Sequence, residues 1–145
     1  GPSMMSGAIA GTVIAEALEK GEPTLESLWP VNVHFMKGYG AKQAGLDVFR
    51  LFLQKLSNTD LDYGMKYRLI KEEDVLKACL GEEIRLNVTD ATRRVFKGLG
   101  RLTFLKALYN MAKKVKKAKT LYNEYPSSPK ELPKWKVQVE ELFST

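Results

Sequence analysis

The longest continuous helical pattern in the first half of this 145-residue chain is YGAKQAGLDVFRLFLQKLS, residues Tyr39–Ser57. Apolar side chains recur in it at offsets of three and four residues, with charged and amide side chains on the other side. The apolar set is Leu46, Val48, Phe49, Leu51, Phe52, Leu53 and Leu56. The spacing predicts one long amphipathic helix with a wide apolar face.

Small residues crowd the start of this helix, at Gly38, Gly40, Ala41, Ala44 and Gly45. Glycine within a helix costs up to about 1 kcal/mol relative to alanine, so a close approach of another group is one reason to have it there. Two interpretations fit. Either another helix packs closely against this end, or the end forms a wall that faces a flat ligand.

Helical patterns also lie on either side of this stretch. Residues 3–20 predict a helix that Ser3 or Ser6 caps and Gly21 ends, and its nearly uniform apolar surface calls for burial on two sides. Thr24 begins a short helix, and Pro30 opens another that we expect Gly38 and Gly40 to kink or break. Further helices are predicted after a cap at residues 58–60, from residue 71 to Gly81, after a cap at residue 89 or 90, over residues 102–122, and after the break at Pro126–Pro129.

No strand is convincing, because residues 82–87 alone have strand character and a lone strand has no partner. We therefore predict an all-α, irregular domain with about seven to eight helices.

The composition argues against several classes of protein. The single cysteine, Cys79, rules out an internal disulfide, and His34 has no metal partner close in sequence. We find no glycine-rich phosphate-binding motif, no apolar run long enough to cross a membrane, and no secretory signal. A cytoplasmic protein without a metal site fits these features best.

Basic charge is concentrated in the last third of the chain. Residues 1–92 hold ten Lys/Arg and thirteen Asp/Glu, whereas residues 93–145 hold thirteen Lys/Arg and four Asp/Glu. Lys113, Lys114, Lys116 and Lys117 make one helix strongly basic. This face is either simply solvated or a contact for anionic lipid at a peripheral membrane site. No aromatic residues interleave with the lysine run, so we do not expect nucleic acid as a partner.

Several ordered stretches resemble the C-terminal part of the flavin-dependent geranylgeranyl reductases. These archaeal-type enzymes of the aromatic-hydroxylase-like flavoprotein class saturate the isoprenoid chains of membrane lipids. The matching stretches are residues 39–50, 52–58, 63–66 and 70–74, then Leu121-Tyr122, Tyr125-Pro126 and Ser128-Pro129.

This resemblance implies that the chain is an incomplete piece of a larger α/β flavoprotein. Residues 1–21 would be the terminal helix of a split FAD-binding domain, and residues 22–145 the C-terminal helical domain. Gly1, Pro2, Ser3 and Met4 would be the tail of a glycine-rich loop that faces the flavin. Gly1-Pro2-Ser3 is alternatively a remnant of tag removal, with Met4 as the natural start.

The resemblance also implies a chemistry, in which reduced FAD delivers hydride to an alkene of an isoprenoid lipid. Tyr39, Phe49 and Phe52 would line the apolar tunnel for that lipid. Because the dinucleotide-binding unit of the missing N-terminal FAD domain is absent here, we expect the chain alone to be inactive, to hold no FAD tightly, and to self-associate through residues 3–20. The alternative is a stand-alone helical adaptor, or a module that binds anionic membrane surfaces.

Overall fold

The computed structural model of the chain describes residues 1–21, 23–69, 71, 73 and 99–144. Within this part, five helices have nine or more residues, and no strand is present. They are α1 (Pro2–Glu19), α2 (Ala41–Lys55), α3 (Asn58–Lys66), α4 (Leu102–Asn123) and α5 (Leu132–Ser144). The all-α prediction is confirmed for the described residues.

The described residues contain five helices of substantial length, whereas about seven to eight helices were predicted for the whole chain. Leu25–Leu28 ends after about one turn. Pro30–Phe35 continues without a break through a π-helical turn, Met36–Gly40, into α2. Gly38 and Gly40 were expected to kink or break the helix; they lie in this π turn, where the helix is irregular but not broken. The helices predicted from residues 71 and 90, the link 82–87 and Cys79 lie outside the described residues, apart from Lys71 and Glu73.

Helix α1 begins and packs differently from the prediction. Gly1 is its N-cap, and no side chain caps it. Ser6 lies inside the helix, where its hydroxyl donates to the Ser3 carbonyl at 3.0 Å, so neither serine is the cap. Gly21 ends the helix with φ +73°, as predicted. Only Val13 and Ala17 are buried, and the helix packs on one side, against Leu25–Leu28 and Pro30–Phe35.

Hydroxyl caps start three of the other helical segments. Thr24 and Ser27 form a reciprocal capping box that opens Leu25–Leu28. Ser57, one residue before the predicted cap, accepts from the Asp60 amide and starts α3. Ser128 accepts from the Lys130 amide and opens the 3₁₀ turn Pro129–Glu131, which leads into α5.

The chain divides into two compact units. The first comprises residues 1–44 and 117–145, and its centre is an aromatic core of Trp29, Tyr125 and Trp135. The Trp29 indole donates to the Pro126 carbonyl at 2.8 Å, and the Trp135 indole donates to the Leu121 carbonyl at 2.9 Å. Both polar atoms of the core tryptophans are thus satisfied, as burial requires.

The second unit comprises residues 45–116. Val48, Leu69 and Phe104 are almost fully buried in it. Tyr63 lies 4.5 Å from Tyr67 and meets the Phe104 ring edge-on at 6.1 Å, measured between ring centroids. The predicted domain boundary at residue 21 stays a prediction.

Gly40 and Gly38 give a matched test of the small residues at the start of α2. A Cβ built on Gly40 would lie 2.9 Å from the Met36 sulfur and 3.2 Å from the Tyr122 ring, whereas one on Gly38 would meet nothing within 4 Å. Packing is therefore the correct interpretation at Gly40. We expect Gly40→Ala to destabilise the chain by about 1–2 kcal/mol through overpacking. Gly38→Ala should stabilise it by about 0.5–1 kcal/mol, because alanine favours a helix.

Equilibrium urea unfolding of the two variants beside the native chain measures both changes. Equal effects at the two positions would contradict the packing interpretation, since the positions differ in their neighbours and not in their helical backbone.

Candidate functional site

The residues predicted to face a flavin form an exposed helix N-terminus. Gly1, Pro2, Ser3 and Met4 are all exposed, and the Met4 side chain is 80% accessible. The Met4 amide donates to the Gly1 carbonyl at 3.1 Å, and no side chain occupies the capping position. The 18-residue helix therefore presents the positive end of its dipole to the outside, which suits an anionic group. The cofactor role of these four residues stays a prediction.

The three predicted substrate-lining aromatics are all half-buried. Tyr39 lies in the π turn, where its ring centroid is 5.4 Å from that of Phe35. Phe49 and Phe52 are three residues apart on α2, so their side chains share one side of that helix. Accessible apolar edges suit contact with an isoprenoid chain, and π turns recur at functional sites. Their assignment to a substrate tunnel stays a prediction.

A polar cluster at the start of α3 is the best-connected ionic feature among the described residues. The Ser57 hydroxyl donates to the Asp60 carboxylate at 2.6 Å, and Arg101 forms an ion pair with the same carboxylate. Arg101 also donates to the Thr59 carbonyl at 3.2 Å, and its guanidinium lies 5.3 Å from the Tyr63 ring centroid. The cluster thereby joins the beginning of α3 to the 3₁₀ turn Leu99–Arg101, which precedes α4.

These contacts change the titration of the carboxylate. The hydrogen bond from Ser57 and the nearby Arg101 charge lower the pKa of Asp60, although partial burial opposes them. Gly100 belongs to the same cluster, because a Cβ there would lie 2.9 Å from the Tyr63 hydroxyl. This cluster could not be predicted from the sequence, since Arg101 is 41 residues from Asp60 and no local spacing links them.

The four predicted patch lysines differ in exposure. Lys113, Lys116 and Lys117 are exposed on α4, whereas Lys114 is half-buried. Burial, together with the charge of Lys55, lowers the pKa of Lys114. Lys114 therefore lies at the side of the helix, closer to the core than Lys113, Lys116 and Lys117.

Two other kinds of site are absent from the described part of the chain. No group of three His, Cys, Asp or Glu side chains there is arranged to hold a metal ion. No helix in the same residues is both long and apolar enough to span a bilayer.

Comparison with known proteins relates the chain to the geranylgeranyl reductases. The chain is similar to the digeranylgeranylglycerophospholipid reductase of Sulfolobus acidocaldarius, with 45% identity over 144 residues. The match covers 99% of this chain and 32% of the relative, so the chain spans about a third of that protein's length. No protein-family model matches. The resemblance indicated by the sequence motifs is confirmed.

We expect the Asp60 carboxylate and its contacts to make the stability of the chain depend on pH in the acidic range. Because the pKa of Asp60 is lower in the folded chain, its contacts stabilise the fold fully at pH values above its unfolded pKa of about 4. That contribution is lost as the pH falls through the folded pKa. Asp60→Asn removes the titrating group, so we expect its free energy of unfolding to fall less between neutral and acidic pH. Urea unfolding over a pH series measures this, with the exposed Asp62→Asn as control. A native-like pH dependence in Asp60→Asn would refute the assignment.

Proposed function

We propose that the chain is the C-terminal helical part of an FAD-dependent reductase that saturates isoprenoid chains of membrane lipids. The observation that carries this proposal is the 45% identity to a digeranylgeranylglycerophospholipid reductase over 99% of the chain. The other two thirds of that relative would supply the nucleotide-binding unit, so we expect this chain to be inactive alone. The whole enzyme would work in the cytoplasm, peripherally at the membrane that holds its substrate.

The exposed surface of α1 supports a role within a larger protein. Met4, Ile14 and Leu18 are 80%, 46% and 62% exposed, and they lie on one side of the helix. Gly7 and Gly11 lie between them on that side, and a Cβ on either would meet nothing within 4 Å. A smooth apolar face of this kind fits close packing against another domain. The same face would drive self-association of the chain alone.

The uncapped N-terminus of α1 fits a flavin cofactor. Ser3 would contribute its backbone N–H group, and Gly1 to Met4 together would contribute the positive helix end, to an anionic part of FAD. Saturation adds a hydride to one alkene carbon and a proton to the other, and reduced FAD would supply the hydride. The task of this chain would be to bind and orient, with Tyr39, Phe49 and Phe52 excluding water from the isoprenoid.

A chimeric enzyme tests the proposed function. The matching segment of the Sulfolobus acidocaldarius reductase is replaced by residues 1–145 of this chain. The geranylgeranyl lipid is supplied in detergent, dithionite reduces the flavin, and water supplies the proton. We expect saturated product, detected by mass spectrometry as added hydrogens, because a segment of the same family should restore the fold and the lipid site. The reductase with the segment deleted is the inactive control.

Flavin absorbance separates the possible failures of this experiment. A folded chimera that holds flavin but leaves the lipid unsaturated would refute the proposal and favour the helical adaptor.

Met4 allows a matched test of the cofactor site in the same chimera. A carboxylate in the first turn stabilises a helix by about 0.3–1 kcal/mol but repels the phosphates of FAD. We expect Met4→Glu to weaken flavin binding several-fold without loss of helix content, whereas the neutral, similarly shaped Met4→Gln should retain it. Flavin titration followed by fluorescence measures both. Equal affinity in the two variants would place the flavin away from this helix end.

A further inference from the structure

One line of residues on α4 combines positive charge with exposed apolar groups. Leu102, Lys106, Tyr109, Lys113 and Lys116 follow one another at spacings of four and three residues, so they lie along one side of the helix. All five are exposed, and Leu102 and Tyr109 are each 63% accessible. We call these five residues the basic stripe.

The opposite side of α4 anchors the helix in the protein. Phe104 is 3% exposed and Ala118 is fully buried. Because Phe104 and Ala118 hold that side by packing, the stripe lies on the exposed side of the helix and its side chains point away from the core.

The charge of the stripe is not neutralised within the described part of the chain. Helix α4 contains six lysines and no acidic residue. The ion pairs found in that part join Asp47 to Arg50 and Asp60 to Arg101, and neither involves a lysine of α4. A row of lysines with no carboxylate partner attracts an anionic surface.

Tyr109, the aromatic residue of the basic stripe, lies next to one of its lysines. The Lys113 ammonium lies 5.5 Å from the centroid of the Tyr109 ring. Lysine stems and tyrosine rings both combine an apolar body with a polar tip, which suits the boundary between lipid headgroups and acyl chains.

We propose that the basic stripe rests on a bilayer that contains anionic lipids. The lysines would contact lipid phosphates while Tyr109 and Leu102 enter the headgroup layer, as amphipathic helices do at membrane interfaces. The basic stripe differs from the patch of four lysines predicted from the sequence. It keeps Lys113 and Lys116, adds Leu102, Lys106 and Tyr109, and leaves out the half-buried Lys114.

The exposed apolar groups favour a bilayer over nucleic acid. Duplex phosphates would engage the lysines but would leave Leu102 without an apolar environment, and one tyrosine makes a poor stacking platform for a single strand. The choice also rests on the proposed function, because an isoprenoid lipid must be taken from a membrane. The vesicle experiment nevertheless needs neither flavin nor catalysis.

Vesicle sedimentation with the whole 145-residue chain tests the proposal. We expect binding to equimolar phosphatidylcholine and phosphatidylglycerol, and little binding to phosphatidylcholine alone. Each lysine at such a surface contributes about 1 kcal/mol, so Lys113→Ala with Lys116→Ala should weaken binding roughly 30-fold. Lys134→Ala with Lys136→Ala removes the same charge from exposed positions on α5 and should change binding little.

A fluorescence measurement tests contact by the stripe itself. Tyr109→Trp places an indole on the stripe, whereas the native Trp29 and Trp135 are buried. On anionic vesicles we expect its emission to shift to the blue and to be quenched by brominated lipid. Val137→Trp, at a position 52% exposed on α5, should show neither change.

Three results would overturn the proposal. They are absence of binding to the anionic vesicles, equal weakening by the two double variants, and lysine-dependent binding to duplex DNA without binding to vesicles. An inactive chimera with intact vesicle binding would instead refute the proposed function and leave this inference standing.

Discussion

The hydrogen bond from the Trp29 indole to the Pro126 carbonyl is the contact on which the first unit depends. It joins residues 97 positions apart and lies in the buried core. Tyr125 stacks on Trp29, with 5.9 Å between ring centroids, and meets Trp135 edge-on at 4.8 Å. Because Tyr125 directly precedes Pro126, the hydrogen bond also holds Tyr125 between the two tryptophans. Because a buried carbonyl without a donor costs about 1–3 kcal/mol, Trp29 contributes more here than its apolar area alone.

In the first unit, the residues that hold the fold together differ from the residues that are exposed for contact. The core and the close contact between Gly40 and Tyr122 hold the π turn and the end of α4 together. Helix α1 packs through Val13 and Ala17, and its smooth apolar face and uncapped N-terminus remain exposed. Packing therefore accounts for Gly40, whereas Met4, Ile14 and Leu18 of α1 take no part in the core and stay exposed.

Much of the local structure was predictable from sequence, because caps and helical periodicity act within a few residues. The helix predicted for residues 102–122 is Leu102–Asn123, and Pro30 opens a helix as expected. The π turn was not predictable, since two glycines in a helical pattern usually indicate a break. Nor was the Asp60–Arg101 pair, because its partners meet only after the chain has folded.

Three properties could be predicted from the sequence alone: the all-helical class of the described residues, the concentration of positive charge in the last third, and the similarity to a geranylgeranyl reductase. These properties reside in composition, periodicity and residue identity, which need no long-range contact. Three features depend on the tertiary structure: which lysines of α4 are exposed, the partial burial of Lys114 near the charge of Lys55, and the contact between Lys113 and the exposed Tyr109 ring. The physical reason is that exposure depends on what packs against the opposite side of a helix, and that packing is made by residues distant in the chain.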